Sequence, residues 1–153
     1  MSKPVPFATT LHVRDRCLCL ATQRAARALA RHFDEAFRPL GITSGQFSLM
    51  MALNRPEPPT VGMVAEVLAM DRTTVTAALK PLERRGLVAI GADAADRRAR
   101  RPALTAAGES LLAEAVVIWT ERHAAIDRIA GAGLATGLAG LVEGLRPRAG
   151  EEA

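Results

Sequence analysis

The chain has 153 residues, of which 49% are hydrophobic and 24% are charged. These values are typical of one folded domain with its own core, and they exclude a disordered tail protein and a disulfide-stabilised mini-protein. No uncharged run reaches the roughly 18 apolar residues that a membrane-spanning helix needs, and residues 1–4 do not begin a secretory signal sequence. We therefore expect a cytoplasmic protein with reduced cysteines and no membrane partner.

The positive charge of the chain is concentrated in one segment. The net charge is +4, from 20 Lys and Arg against 16 Asp and Glu. Residues 71–101 contain eight basic and four acidic side chains, so the rest of the chain holds 12 of each sign. A local basic segment on an otherwise balanced chain indicates an anionic partner, with nucleic acid as the first candidate.

Helical periodicity dominates the first third of the chain. Residues 1–10 are expected to form a loose arm, and residues 11–37 one long helix that Pro39 and Gly41 end. A second helix is predicted over residues 46–54, before a segment with three prolines. The apolar face of the first helix consists of Leu18, Ala21, Ala25, Leu29, Phe33 and Ala36.

Two shorter helices follow the prolines. Thr60 and Asp71 are good N-cap residues for a helix at residues 61–68 and for one that ends at Gly86. Pro81 lies inside the second of these, where we expect a kink or an irregular last turn. The predicted buried side chains are Val64, Val67 and Leu68 in the first helix and Val75, Leu79 and Leu82 in the second.

A hairpin and two further helices complete the chain. Pro102 limits its strand to an edge position, and Thr105 is the N-cap of a long helix. This order of elements predicts a mainly α fold with a small β-hairpin wing, that is, a winged helix-turn-helix. The predicted segments are a strand at 87–90, a charged turn at 92–99, a strand at 100–104, and helices at 106–129 and 134–145.

The helix that follows Asp71 carries small hydroxyl side chains and cations on the face away from its apolar side chains. Threonine offers a hydroxyl to bases or phosphates and a methyl group to thymine, while cations suit phosphate oxygens. A solvated surface helix with tolerated threonines is the alternative. The candidate DNA-contacting residues here are Arg72, Thr73, Thr74, Thr76 and Lys80, the last affected by the neighbouring proline.

The turn of the hairpin carries four arginines within five positions. Such a density is costly unless an anion is close, and arginine is the side chain that enters narrow minor grooves. Asp96 precedes Arg98 by two residues and could orient its guanidinium through a bidentate pair. The alternative is a charged, mobile turn. The candidate DNA-contacting residues of the turn are Asp96, Arg97, Arg98 and Arg100.

Four segments together resemble the MarR family of bacterial winged helix-turn-helix transcriptional regulators. They are residues 70–76, residues 82–88, Asp96-Arg97-Arg98, and the stretch from Leu104 to Gly108. The most specific mark is Asp-x-Arg followed by Leu-Thr-x-x-Gly. The order of helices matches from about residue 11 to residue 145, so the resemblance covers nearly the whole chain.

The resemblance implies one domain over residues 1–153, in which helices at about 11–38 and 105–146 form a homodimer and residues 43–104 bind double-stranded DNA. It implies a pseudo-palindromic operator, read in half-sites about 10 bp apart. The usual role is that of a repressor released by a small, often aromatic, ligand or by oxidation. In this interpretation Thr73, Thr74, Thr76 and Lys80 face the major groove or its phosphates, and Arg98, steadied by Asp96, enters the minor groove.

Two cysteines are candidates for a redox sensor. Cys17 and Cys19 lie two positions apart in the first predicted helix, which points them roughly 200° apart and disfavours a disulfide between them. Nearby Arg14 and Arg16 would favour a reactive thiolate. The alternative is that both thiols are small apolar groups packed at the dimer interface.

The resemblance places an effector pocket between the dimerisation helices and the winged part. Trp119 and His123 are four residues apart and can share one helix face.

Other functions are less well supported. The three histidines lack metal-ligand spacing, and phosphate loops and nucleophile elbows are absent from the sequence, so we predict no enzyme, cofactor or metal. A helical protein-interaction module that does not bind DNA remains the alternative from another class. The effector candidates are His12, Arg16, Met50, Met51, Trp119 and His123.

Overall fold

The computed structural model of the protein describes residues 4–146, so the expectations for residues 1–3 and for the acidic end of the chain lie outside the described residues. The chain divides into two compact units, Met1–Ser44 and Gly45–Ala153. Within the described range the architecture is mainly α with one two-stranded hairpin, as the sequence predicts. The C-terminal helices belong to the same unit as the winged part.

The first unit contains two helices where the sequence predicts one, and that prediction is wrong at Cys17. Helix α1 spans Phe7–Arg16 and helix α2 spans Leu18–Phe37. Cys17 lies between them with an extended backbone (φ −73°, ψ 106°), and its sulfur accepts a hydrogen bond from the Leu20 N–H at 3.4 Å. The thiol therefore serves as the N-cap of α2, a role that propensity rules assign to hydroxyl and carboxylate side chains.

The ends of this unit also differ in detail from expectation. The expected loose arm is helical from Phe7 onward, because Pro6 stands at the N-cap with a backbone angle compatible with a helix start. After α2, a 3₁₀ turn at Arg38–Leu40 ends at Gly41, which adopts a left-handed φ of 65°. Pro39 and Gly41 therefore stop the helix as predicted.

The apolar face of α2 is largely exposed. Phe33 and Phe37 are buried, with ring centroids 5.7 Å apart in a stacked arrangement. By contrast, Leu18 is 65% exposed and Leu29 is 40% exposed. Helix α2 is amphipathic as predicted, but only the C-terminal part of its apolar face is buried within a single chain.

Helices α3 (Ser44–Leu53) and α4 (Val61–Leu68) flank the proline-rich segment. Helix α3 begins two residues before the predicted start and ends one residue before the predicted end. The Thr60 hydroxyl caps α4 by accepting the Met63 N–H at 3.2 Å. Helix α4 buries Val64 and Ala65, whereas Val67 is exposed, contrary to the prediction. The reason is angular: Val67 lies about 110° from the centre of the buried face.

Helix α5 spans Arg72–Arg84 and buries Val75, Leu79 and Leu82 completely, as predicted. The α-helix runs through Pro81 and ends three residues later, at Arg84. Near the C-terminus the proline removes only one backbone hydrogen bond. The end itself is closed by Gly86 at φ 69°, whose N–H bonds to the Glu83 carbonyl at 2.9 Å, and by a Leu87 N–H bond to the Leu82 carbonyl at 3.0 Å.

The wing consists of strands β1 (Val88–Ala92) and β2 (Arg100–Leu104), paired antiparallel with Val88 opposite Leu104 and Ala92 opposite Arg100. Strand β2 has its predicted bounds. Strand β1 starts one residue later than predicted and extends two residues further, which shortens the turn. Pro102 lies opposite Ile90 in a sheet where both strands are edges. Proline has no N–H to donate between strands, and an edge strand tolerates this loss.

Helices α6 (Ala106–Ala130) and α7 (Leu134–Gly144) complete the described chain. Thr105 caps α6 as predicted: its hydroxyl accepts the Gly108 N–H at 3.1 Å and donates to the Gly86 carbonyl at 2.6 Å. Helix α7 buries none of its side chains. Within residues 4–146 no single helix is long and apolar enough to cross a membrane. Only α6 and α7 taken together, bent by 84°, meet the length and composition test.

Candidate nucleic-acid interface

The N-terminus of α5 is held by two hydrogen bonds that Thr74 donates to the Asp71 carboxylate. One Asp71 carboxylate oxygen accepts the Thr74 N–H at 2.8 Å, and the other accepts the Thr74 hydroxyl at 2.6 Å. The Thr74 side-chain bond, followed by its backbone bond, lowers the pKa of Asp71. The proton of the Thr74 hydroxyl is therefore committed to the helix cap, and only its lone pairs and methyl group remain for DNA.

The other predicted α5 residues lie exposed on the helix. The Thr76 hydroxyl donates to the Arg72 carbonyl at 2.8 Å, one turn back. Thr73 and Lys80 are exposed. Lys80 follows Thr76 by four residues on the same helix, so the two side chains share one face.

Arg72 lies against the first turn of α4. A β-carbon built on Gly62 would lie 3.1 Å from the Arg72 Nη2 atom, so the glycine leaves the space that the guanidinium occupies. This contact forms part of a cleft of about 420 Å³ between the start of α4, the start of α5 and the wing. The cleft is lined by Thr60, Val61, Gly62, Arg72, Thr76, Arg98, Ala99 and Arg100. It unites the two segments that the sequence singled out separately.

The expected pair between Asp96 and the Arg98 guanidinium is absent from the described structure. Instead, the Asp96 carboxylate accepts the backbone N–H of Arg98 at 2.9 Å, and the Asp96 carbonyl accepts the Ala99 N–H at 3.0 Å. An aspartate in a turn commonly binds the backbone amide two residues on, and this bond competes with a pair to the guanidinium. Asp96 therefore shapes the turn and leaves the Arg98 side chain exposed.

The sequence reasoning missed the residue that organises the turn, Asp93. Its carboxylate is buried and accepts the N–H groups of Ala95 at 2.7 Å and Asp96 at 3.0 Å. It also pairs with the Nε of Arg101, whose Nη1 donates to the Pro58 carbonyl at 2.6 Å. An aspartate at the end of a strand is a turn signal. Its pairing with Arg101, eight residues further on across the hairpin, cannot be recognised from the neighbouring sequence.

The remaining three arginines of the turn are exposed. Arg97, Arg98 and Arg100 pair with no carboxylate in the part of the chain that the structure describes. Together with Arg72 and Lys80 they form the basic surface, a name we keep for these five residues. The basic surface has the charge and the hydroxyl neighbours that phosphate and base edges require.

The effector candidates are placed differently from one another. Met50 is completely buried in α3, so it is core rather than an accessible contact. Met51 and Trp119 line a mainly apolar cleft of about 440 Å³. The Trp119 and His123 rings lie 4.5 Å apart, as their spacing predicts, and His123 Nδ1 is 3.1 Å from an Asp127 carboxylate oxygen.

The candidates near the N-terminus belong to the first unit. Both cysteines are free thiols, Cys17 half-buried and Cys19 exposed. Their expected opposite directions on one helix do not apply, because Cys17 lies at the break. Arg16 and His12 are exposed. Across residues 4–146 no group of three or more histidine, cysteine or acidic side chains is arranged to hold a metal ion.

The chain is similar in sequence to known transcriptional regulators. A sequence profile of the MarR family matches residues 40–99, while no curated protein matches the chain. The M. tuberculosis transcriptional regulator MosR in complex with DNA is 34% identical, with a TM-score of 0.77, over 84% of this chain and 96% of its own.

Two further solved structures are similar in fold. A mutant of E. coli MarR complexed with operator DNA is 21% identical, with a TM-score of 0.74, over 90% of this chain and 99% of its own. CouR from Rhodococcus jostii RHA1 bound to p-coumaroyl-CoA is 19% identical, with a TM-score of 0.71, over 86% of this chain and 92% of its own.

Proposed function

The chain belongs to the MarR family of winged helix-turn-helix transcriptional regulators, and we propose that it binds double-stranded DNA through the basic surface. The observation that carries this proposal is the cleft at which the start of α5 meets the wing arginines. A helix of this kind enters the major groove, while a wing reaches the adjacent minor groove. MosR, at 34% identity, is a transcriptional regulator solved in complex with DNA, which supports DNA binding by this chain.

The side chains have distinct roles in this proposal. Thr73 and Thr76 meet base edges or phosphates in the major groove, and Lys80 and Arg72 bind phosphate oxygens. Arg98 enters the minor groove, with Arg97 and Arg100 on the flanking phosphates. Asp96 acts through the backbone of the turn, and Thr74 acts mainly through the Asp71 cap.

The test is selection of binding sites from a random duplex pool, followed by footprinting on the selected duplex. We expect two half-sites about 10 bp apart and a loss of binding in the double variant Thr73→Ala/Arg98→Ala. Thr73 is preferred to Thr74 because Thr74→Ala would also remove the hydroxyl bond to the Asp71 carboxylate. Unselective binding, or full binding by the folded double variant, would overturn the proposal.

We propose further that the protein is a homodimer held by its outer helices. The support is the apolar surface that one chain leaves uncovered on α2 and α7. On α7 the apolar side chains share one face, and monomeric proteins rarely expose such a patch without a partner. They are between 39% and 51% exposed at Leu134, Leu138, Leu141 and Val142.

Light scattering after size-exclusion chromatography tests the dimer. Leu138→Glu puts a charge into the apolar face of α7, so this variant should elute as a monomer. Thr136→Glu is the matched control, because Thr136 lies on the opposite side of the same helix and should leave the dimer intact. A monomeric wild-type protein, or a dimeric Leu138→Glu variant, would contradict the proposal.

A small aromatic acid is the proposed signal that releases the protein, as a repressor, from its operator. The cleft beside Trp119 supports this because it is mainly apolar and also carries Ser48, Asn54 and Arg55 for a polar group. Trp119 is the only tryptophan of the chain, so its fluorescence reports binding directly. Salicylate and 4-hydroxybenzoate are the probes, and a compound that quenches Trp119 should also displace the selected duplex. Binding without displacement would exclude that compound as the signal.

Oxidation is the alternative signal, and the exposed thiol of Cys19 supports it. Peroxide should then release the selected duplex from the wild type but not from Cys19→Ser, with Cys17→Ser as the paired variant. Equal release from all three proteins would rule out a thiol switch.

Binding to the chromosome would place the protein in the cytoplasm, as the sequence predicts.

A further inference from the structure

Asp93 is the one charged side chain that is buried among residues 4–146, with 9% of it exposed. A buried carboxylate is unfavourable unless it is paired and hydrogen-bonded. Here it accepts two backbone N–H groups of the turn, from Ala95 and Asp96, and pairs with Arg101. The Arg101 bond, followed by the backbone bonds, lowers the pKa of Asp93 and keeps it ionised at neutral pH.

Arg101 connects this carboxylate to a different part of the chain. While its Nε pairs with Asp93, its Nη1 donates to the Pro58 carbonyl at 2.6 Å. Pro58 lies in the segment that leads into α4, two residues before Thr60. Arginine can make both contacts because its planar guanidinium carries donors in a fixed fork, whereas lysine has a single ammonium group.

The bridge joins two segments whose neighbouring residues line the cleft of the basic surface. Thr60, on one side, follows Pro58 by two residues, and Arg100, on the other side, directly precedes Arg101. A two-stranded hairpin is only marginally stable by itself, so its orientation depends on such contacts. The bridge from Asp93 through Arg101 to Pro58 therefore fixes the wing relative to α4 and α5.

We propose that Asp93 and Arg101 are positioning residues for DNA binding, which hold the wing arginines beside α5 without contacting DNA themselves. The inference rests on the proposed function. It divides the four arginines of the turn into two classes. Arg101 is neutralised and holds the wing, while Arg97, Arg98 and Arg100 remain available to an anion.

The proposal predicts an effect of unexpected sign. Asp93→Asn removes a negative charge near the DNA, which by simple electrostatics should strengthen binding. If Asp93 positions the wing, binding to the selected duplex should weaken about tenfold instead. Arg101→Lys keeps the charge but loses the fork, and it should weaken binding to a similar extent. Arg122→Lys is the matched control, because it makes the same substitution at an exposed arginine of α6 that lies outside the basic surface.

A double-mutant cycle separates positioning from a general loss of stability. Arg98→Ala should weaken binding strongly in the wild type and much less in an Arg101→Gln background, because Arg98 is then no longer held at the groove. A purely structural role for Arg101 would leave the Arg98→Ala effect unchanged. Fluorescence anisotropy at 10 °C, with the folded fraction checked by circular dichroism, provides the measurement.

The outcomes distinguish this inference from the proposed function. If the wild type binds no duplex selectively, the proposed function fails. If the wild type binds and Arg98→Ala weakens it, but Asp93→Asn and Arg101→Lys bind like the wild type, only the positioning role is overturned. Additive losses from Arg98→Ala and Arg101→Gln would also overturn it.

Discussion

At the scale of single residues, Gly108 determines how closely α6 approaches the end of α5. A β-carbon on this residue would lie 2.0 Å from the Leu87 carbonyl oxygen and 3.0 Å from its carbon. Both are backbone atoms, which cannot rotate away as a side chain can. The glycine of the Leu-Thr-x-x-Gly motif is therefore required by the contact that joins α5, the wing and α6.

Gly108→Ala should destabilise the protein by at least about 3 kcal/mol, because α6 must shift to relieve the clash. Gly91→Ala in β1 is the control: its β-carbon would meet only the Arg101 carbonyl, at an ordinary 3.8 Å. That variant should stay within about 0.5 kcal/mol of the wild type. Urea unfolding measures both, and equal midpoints for the two variants would refute the role of Gly108.

Two aspartates predict how stability depends on pH. The Thr74 hydroxyl lowers the pKa of Asp71, and Arg101 lowers that of Asp93. A lowered pKa in the folded state means that the stabilisation is fully present above the ordinary aspartate pKa of about 4 and is lost as the pH falls through the folded value. The Tm should therefore drop as the pH falls below about 4, and the drop should be smaller in Asp71→Asn/Asp93→Asn. An equally steep drop in that variant would contradict the assignment.

Residue-scale prediction succeeded where the physics is local. The caps at Thr60, Asp71 and Thr105 depend on a few neighbouring atoms and follow from residue type. The partner of Arg101 could not be predicted, because it depends on how the hairpin brings distant residues together. The burial of Met50 was missed for the same reason, since α3 is apolar on more than one face and only packing decides which side is accessible.

At the scale of elements, the turn between α4 and α5 contains a strained residue. Ala69 has a φ of 51°, and it is the only residue other than glycine with a positive φ within residues 4–146. The N–H of Met70 bonds to the Ala65 carbonyl at 2.9 Å, which closes α4 as a left-handed residue normally does. The geometry favours glycine, but the sequence has alanine there.

Ala69→Gly should therefore stabilise the protein, by a few tenths to about 1 kcal/mol, because relief of the left-handed strain exceeds the added entropy of the unfolded chain. The same substitution at Ala77, in the middle of α5, should destabilise it by about 1 kcal/mol. Thermal unfolding of the two variants measures whether each substitution raises or lowers the Tm relative to the wild type. Destabilisation by Ala69→Gly would show that the turn is not strained.

Element-scale prediction failed at one helix boundary for an identifiable reason. The pattern across residues 11–37 is that of one amphipathic helix, and periodicity carries no signal of the break at Cys17. The break depends on a sulfur atom acting as the cap of α2.

At the scale of the whole molecule, the charge pattern and the fold lead to the same surface. All of the net +4 lies within residues 71–101, and the structure brings the two ends of that segment to one cleft. The sequence alone locates this charge, because the basic and acidic residues of any segment can be counted directly. It could not show that Arg101 is neutralised by a buried partner and therefore does not belong to the five cations of the basic surface.

The most direct measurement of the central claim is the affinity for the selected duplex as a function of salt. Two chains would bring about ten cations to the DNA, so binding should weaken on the order of 10³-fold or more between 50 and 200 mM KCl. Arg98→Ala should make this dependence shallower while the dimer stays intact. A flat salt response, or an unchanged response in that variant, would contradict DNA binding by the basic surface.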